Sequence, residues 1–164
     1  MADVIALHGP WSGGVAVATP QSADAPAKPL DLPEEWQAVD DVAAGEAHVD
    51  RVIVGPNGVF TIDIDLDRRP AEPGPDGVYR DGQRVTASVK HALLAAHGVR
   101  RALSLPSIAY PLLVMPIAAP GHQLDRLGII PGDALAQYIW SHHGSPLRRS
   151  QRMELLWRLQ RLAS

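Results

Sequence analysis

Apolar and polar positions alternate most clearly between Val49 and Asp65, where two β-rich runs flank Gly55-Pro56-Asn57-Gly58. Val52, Ile53 and Val54 lead into that tetrad, and Val59, Phe60 and Ile62 follow it. β-Branched and aromatic side chains suit a pleated, half-buried surface, and Pro-Asn-Gly supplies the turn. The pattern predicts a hairpin with strands near 49–55 and 58–66, which brings Asp50 back towards Asp63 and Asp65. Strand side chains alternate with period two, so Asp63 and Asp65 share a face. Residues 36–42 read as a strand before the hairpin. Tyr110 to Ala118, a near-continuous apolar run flanked by proline, suits a buried parallel strand near 112–118. Ile129-Ile130 reads as a further short strand.

Between these runs the period changes. Pro70, Pro73, Gly74 and Pro75 mark Arg68 to Asp81 as a surface loop. Residues 77–80 and 83–85, around Asp81-Gly82, resemble a minor hairpin. Thr86 is a suitable N-cap for a helix from Ala87 to about Leu103, with Val89, Ala92, Leu93, Ala96 and Leu103 as its sheet-facing stripe. Gly98 within it predicts a bend or an early end. A second helix is predicted from Pro131-Gly132-Asp133 to about His142, where an imidazolium would suit the helix dipole. A last helix is predicted with Ser145 as N-cap and Pro146 as its first residue. Leu155, Leu156, Leu159 and Leu162 fall on one side of it, and Arg158 and Arg161 fall away.

The candidate chemistry sits on the hairpin. Three carboxylates on one sheet edge repel one another unless a cation lies among them. One reading is a divalent metal, and oxygen ligands without nitrogen or sulfur favour Mg²⁺ or Mn²⁺. The other is a solvated edge strand, with Asp63, Asp65 and Asp67 facing water and Ile62, Ile64 and Leu66 buried. His48, two residues before Asp50, is the one histidine placed to contact that edge. No zinc-type His/Cys spacing, serine-hydrolase elbow or phosphate-binding loop is present.

The segment resembles the signature of the nuclease-related domain (NERD) family: an Ile/Val-Asp pair, a short β run, Gly-Pro-x-Gly-Val-Phe, then Ile-Asp-x-Lys. Its counterparts are Val49-Asp50, Val52 to Val54, Gly55 to Phe60, and Ile62-Asp63-Ile64-Asp65. Trp36 to Val42 is similar to the family's Trp-containing first strand, and the match covers roughly residues 34–163. The resemblance implies the PD-(D/E)xK nuclease-like superfamily, an α/β fold of restriction-endonuclease type with a mixed central sheet flanked by helices. It also implies Asp50 and Asp63 as ligands of Mg or Mn. Three features depart from the pattern. Asp65 stands where the family has its catalytic Lys, no helix bearing an upstream Glu is evident in residues 1–33, and Thr86 or Ser88 stands near the family's helical Gln. Asp65 adds negative charge where a phosphodiester transition state already accumulates it. The expectation is a catalytically degenerate domain that binds DNA, RNA or a protein partner. The alternative is an active Mg/Mn nuclease in which Lys90, one of only two lysines, has migrated into the catalytic role. A solvent-facing helix lysine is the competing account of Lys90.

Length and composition fit one globular domain: 164 residues, 46% hydrophobic and 20% charged, with no cysteine. Residues 1–33, rich in Ala, Pro, Ser and Asp beyond the short runs Val4 to Leu7 and Val15 to Ala18, read as a flexible arm and linker. Residues 34–164 correspond to the nuclease-related domain that the resemblance implies. No run is long enough to span a membrane and no secretory signal opens the chain, so no membrane partner and a cytoplasmic location are expected. The net charge of −3 conceals an acidic first half, −10 over residues 1–81, and a basic second half, +7 over residues 82–164. Such asymmetry points to an anionic partner or to mutual neutralisation within the fold.

Overall fold

A computed structural model of the protein describes residues 30–106 and 109–163. The predicted arm therefore lies almost wholly outside the described residues. Three strands open the described chain: β1 (Gln37–Ala44), β2 (Ala47–Gly55) and β3 (Gly58–Ile64). A small sheet of β4 (Glu72–Gly74), β5 (Gly77–Arg80) and β6 (Gln83–Arg84) follows, and α1 (Ala87–Ala102) comes next. The remaining elements are β7 (Tyr110–Val114), β8 (His122–Leu124), β9 (Leu127–Ile130), α2 (Leu135–Ser141, entered through a 3-10 turn) and α3 (Arg149–Gln160).

The main sheet has the order β1-β2-β3-β7-β9-β8. β3 pairs in parallel with β7, and β7 with β9, whereas the flanking pairs are antiparallel. The molecule is thus mixed α/β, with a six-stranded mixed sheet between helices. Period-two alternation divides its two faces. Val52, Val54 and Val59 pack with Val99 and Leu103 of α1 and Leu155, Leu156 and Leu159 of α3. Ile53, Phe60, Ile62 and Leu112 pack on the opposite face with Leu135, Ala136 and Ile139 of α2. On β3, the residues between Phe60, Ile62 and Ile64 therefore face α1, and these include Thr61 and Asp63.

The predicted hairpin forms in the expected register, from Gly55↔Gly58 to Arg51↔Ile62. Its turn is fixed from outside. Asn57 Nδ2 donates to the carbonyls of Ile139 and His142 at 2.6 and 2.9 Å, and Asn57 Oδ1 accepts from Trp36 Nε1 at 3.0 Å. One side chain thus ties the end of α2 and the approach to β1 onto the turn. The minor hairpin also forms, with Asp81 and Gly82 both at positive φ (51° and 75°), as a tight two-residue turn requires.

Several expectations are corrected. The stretch read as a loop from residue 68 contains β4, whose partner is β5. β8, paired with β9, had no signal of its own. α3 begins at Arg149 rather than Pro146: Arg148 is extended (φ −69°, ψ 155°) and serves as the N-cap, its amide donating to Gln151 Oε1, while the Leu147 amide before it bonds the Pro56 carbonyl at 2.8 Å. His142 is not a dipole-capping imidazolium. Burial lowers its pKa, and its ring packs edge-on against Phe60 and Tyr110.

Gly98 neither bends nor ends α1. A Cβ there would sit 2.4 Å from the Ala44 carbonyl oxygen, so the glycine lets the helix approach the end of β1. In an exposed helix Gly→Ala gains about 1 kcal/mol, but overpacking against fixed backbone costs about 1–3 kcal/mol. Gly98→Ala is accordingly expected to lower stability in urea unfolding; a raised midpoint would show that the approach is loose.

Candidate active site

β2–β3 pairing ends at Arg51↔Ile62, and the next β3 amide, that of Ile64, finds the Asp50 carboxylate instead (Oδ2 at 2.7 Å). Asp50 is exposed yet anchored, and it lies beside Asp63. Asp63 sits opposite Leu113 of β7 and is 4% exposed, with Oδ2 buried and without a hydrogen-bond partner. Burial first, and the Asp50 charge second, raise its pKa to about 7; the Asp50 backbone and the charge of His48 offset this in part. His91 Nδ1 of α1 approaches Asp63 Oδ1 at 3.5 Å. His48 itself is held by Asp41, Nε2 to Oδ1 at 2.6 Å.

The solvated-edge account fails on this geometry. β3 is the third of six strands, Asp63 and Asp65 are buried beneath α1, and Leu66, assigned to the interior by that account, is 75% exposed. Alternation set the shared face correctly but not which face meets solvent, because in an interior strand both faces are covered.

Asp65 is the most tightly held carboxylate of the three. Its own amide extends the ladder to the Val114 carbonyl at 2.9 Å. Oδ1 accepts from the Asp67 amide at 2.8 Å, and Oδ2 accepts from Ser88 Oγ at 2.9 Å. The guanidinium of Arg80, at the end of β5, stands 3.5 Å from Asp65 Oδ2 and 3.2 Å from Asp67 Oδ2. Arg80 Nε also donates to the Arg69 carbonyl at 3.0 Å. Arg69 then bridges Asp67 and Asp81, and its hydrogen bonds hold the Asp67 carboxyl well below the usual range. Arg80, carried in by the small sheet, is therefore the cation that answers Asp65 and Asp67.

Lys90 does not join this group. It is exposed, and its side chain has no partner among the described residues. Ser88 and His91, three positions apart, share the helix face that meets the carboxylates, whereas Lys90 lies about 200° around the helix from Ser88. Sequence reasoning passed over Arg80 and His91.

No group of three or more His, Asp or Glu side chains converges on one point among the described residues. The donor set that exists is Asp50 with Asp63, two adjacent carboxylates of which one has a buried, unpartnered oxygen. Two carboxylates suffice for Mg²⁺ or Mn²⁺ when water fills the remaining positions. Beyond Asp81, only Arg84 and Arg158 meet a carboxylate among the described residues, Asp76 and Glu154 respectively. The basic half is thus not neutralised by the acidic half within the described fold. No described helix is long and apolar enough to cross a membrane.

No protein-family model, curated protein or solved structure matches this chain.

Proposed function

We propose that the chain is a nuclease-related domain of restriction-endonuclease-like type that retains a carboxylate metal edge but does not hydrolyse phosphodiesters, and that it serves as a nucleic-acid-binding module. The observation that carries this reading is the fixing of Asp65. At the position two residues beyond Asp63, hydrolysis calls for a cation to orient water and offset charge growing on phosphate. This chain places there a buried carboxylate satisfied by Ser88, the Asp67 amide and Arg80. Arg80 cannot stand in for the missing lysine, because Asp65 and Asp67 already share its charge. Lys90, exposed and turned from the carboxylates, supports no migrated-lysine mechanism.

The metal edge consists of Asp50 and Asp63, whose oxygens suit Mg²⁺ or Mn²⁺ over Zn²⁺. A dication bound there would offer a phosphate oxygen an electrostatic anchor. Asp50, held by the Ile64 amide, is positioned without metal, and Asp63 gains from a nearby cation because its carboxylate is buried with Oδ2 left without a hydrogen-bond partner. Titration calorimetry with Mn²⁺ tests this. At about pH 8, with Asp63 ionised, one ion is expected to bind; the affinity should weaken near pH 6, where a proton competes, and Asp63→Ala should abolish it. Absence of binding at millimolar Mn²⁺, or binding unaffected by Asp63→Ala, would overturn the metal assignment.

A further inference from the structure

We infer that the outer face of α1 and α3 is a docking surface for single-stranded nucleic acid, separate from the carboxylate edge. This extends the reading of a non-hydrolytic nucleic-acid-binding domain and locates its contact surface. The two helices lie on one face of the sheet and share one apolar cluster with it. Arg158 Nη1 of α3 donates to the Leu103 carbonyl at the end of α1 at 3.1 Å, so the last turn of α1 adjoins α3. That turn carries Arg100 and Arg101, both exposed.

Three features give the face its chemistry. First, α1 contains no acidic residue, and the one acid on α3, Glu154, is bound to Arg158. Second, Lys90, Arg100, Arg101, Arg149 and Arg161 are exposed and have no carboxylate partner among the described residues. Five unanswered cations on one helical layer form a positive field, which a chain of phosphates neutralises with release of counterions. Third, Trp157, in the last turn of α3, is 58% exposed, with the Arg161 guanidinium 4.9 Å from its ring centroid. A burial-driven fold gains nothing from leaving an indole in water, whereas an unpaired base stacks on one. A duplex hides its base faces, so the exposed ring selects single strands over double strands. A protein partner would want acidic side chains but would have no particular use for a ring already covered on one side by arginine.

Fluorescence anisotropy with a labelled oligothymidylate, in chelator, tests the inference on the full chain. Binding is expected without metal, to weaken steeply with salt, and to exceed binding to a duplex of equal length. The triple variant Arg100→Gln, Arg101→Gln, Arg161→Gln should weaken it at least tenfold and reduce the salt slope by about 0.7 for each phosphate that is no longer neutralised. Trp157→Ala should weaken it about tenfold while leaving the salt slope unchanged, and thermal melting should confirm that both variants fold. Arg126→Gln, the same kind of charge change placed on the turn between β8 and β9, should bind as the wild type does. Four outcomes would overturn the inference: no binding, binding insensitive to these substitutions, a preference for anionic phospholipid vesicles, or binding that requires Mn²⁺ and vanishes in Asp63→Ala. The last would leave the metal-edge reading standing while removing this surface.

Discussion

Replacing Asp63 by Asn is expected to stabilise the protein above neutral pH, by on the order of 4 kcal/mol at full ionisation. The carboxyl titrates at about 7 in the fold, mainly because burial disfavours its charged form and secondarily because Asp50 is near, against 3.8 for the free group. Between those values the native state keeps a proton that the unfolded chain releases. The native state thus binds more protons, and stability falls as pH rises through this window, then levels off above the folded pKa. Below about 4 both states are protonated and the full stability is present. The neutral amide of Asp63→Asn would carry no such dependence. Urea unfolding of the two proteins across pH 4–9 should give curves that converge in acid and diverge towards pH 8, and Mn²⁺ should narrow the gap by stabilising only the wild type. Parallel curves would show that Asp63 is not charged at a cost in the fold.

Removing Arg80 should have the largest destabilising effect. Arg80→Met retains the apolar stem but strips Asp65 of its cation, and the side chains of Arg80 and Asp65 are 9% and 6% exposed. Breaking a buried ion pair from one side costs about 3–5 kcal/mol, chiefly through the charge left behind. The Arg80 bonds to the Arg69 and Asp67 carbonyls, which fasten the small sheet to the end of β3, disappear as well. Asp65→Asn in the same protein should recover a substantial part of the loss, since the carboxamide oxygen still accepts from the Asp67 amide and its NH2 can donate to Ser88 Oγ. Equilibrium unfolding of the two single variants and the double variant gives the coupling directly. A cost below about 1 kcal/mol for Arg80→Met would mean that solvent, not Arg80, answers the charge of Asp65.

What the sequence made legible was local. The β2–β3 hairpin follows from β-branched runs and a Pro-Asn-Gly turn, the extent of α1 from its apolar positions, although Thr86 makes no side-chain cap bond and Leu93 faces solvent, and β7 from a run apolar throughout. Each signal lies within a few residues of what it specifies. The illegible parts depend on residues distant in sequence. β8 is three residues long and exists because β9 offers it an edge. α3 is capped by Arg148, in a segment that the Leu147 amide ties to the Pro56 carbonyl, far earlier in the chain. The site divides in the same way. Period two placed Asp63 and Asp65 together, and the turn returned Asp50 to them. Which residues of α1 meet those carboxylates depends on the rotation of the helix over the sheet. That rotation, fixed by Ala92, Ala95 and Val99 packing inward and by Gly98 against Ala44, selects Ser88 and His91 and leaves Lys90 in solvent. The basic half of the chain was visible from composition; that most of its arginines meet no carboxylate among the described residues was not.

On the function we propose, the domain keeps a carboxylate edge but lacks hydrolytic chemistry because Asp65, bound by Arg80 and Ser88, stands where hydrolysis would need a cation. The most direct test is incubation of purified protein with supercoiled plasmid and with single-stranded DNA in Mg²⁺ and in Mn²⁺, beside Asp63→Ala. No nicking or shortening above that of Asp63→Ala is expected with either metal. Metal-dependent cleavage by the wild type that Asp63→Ala abolishes would contradict the account.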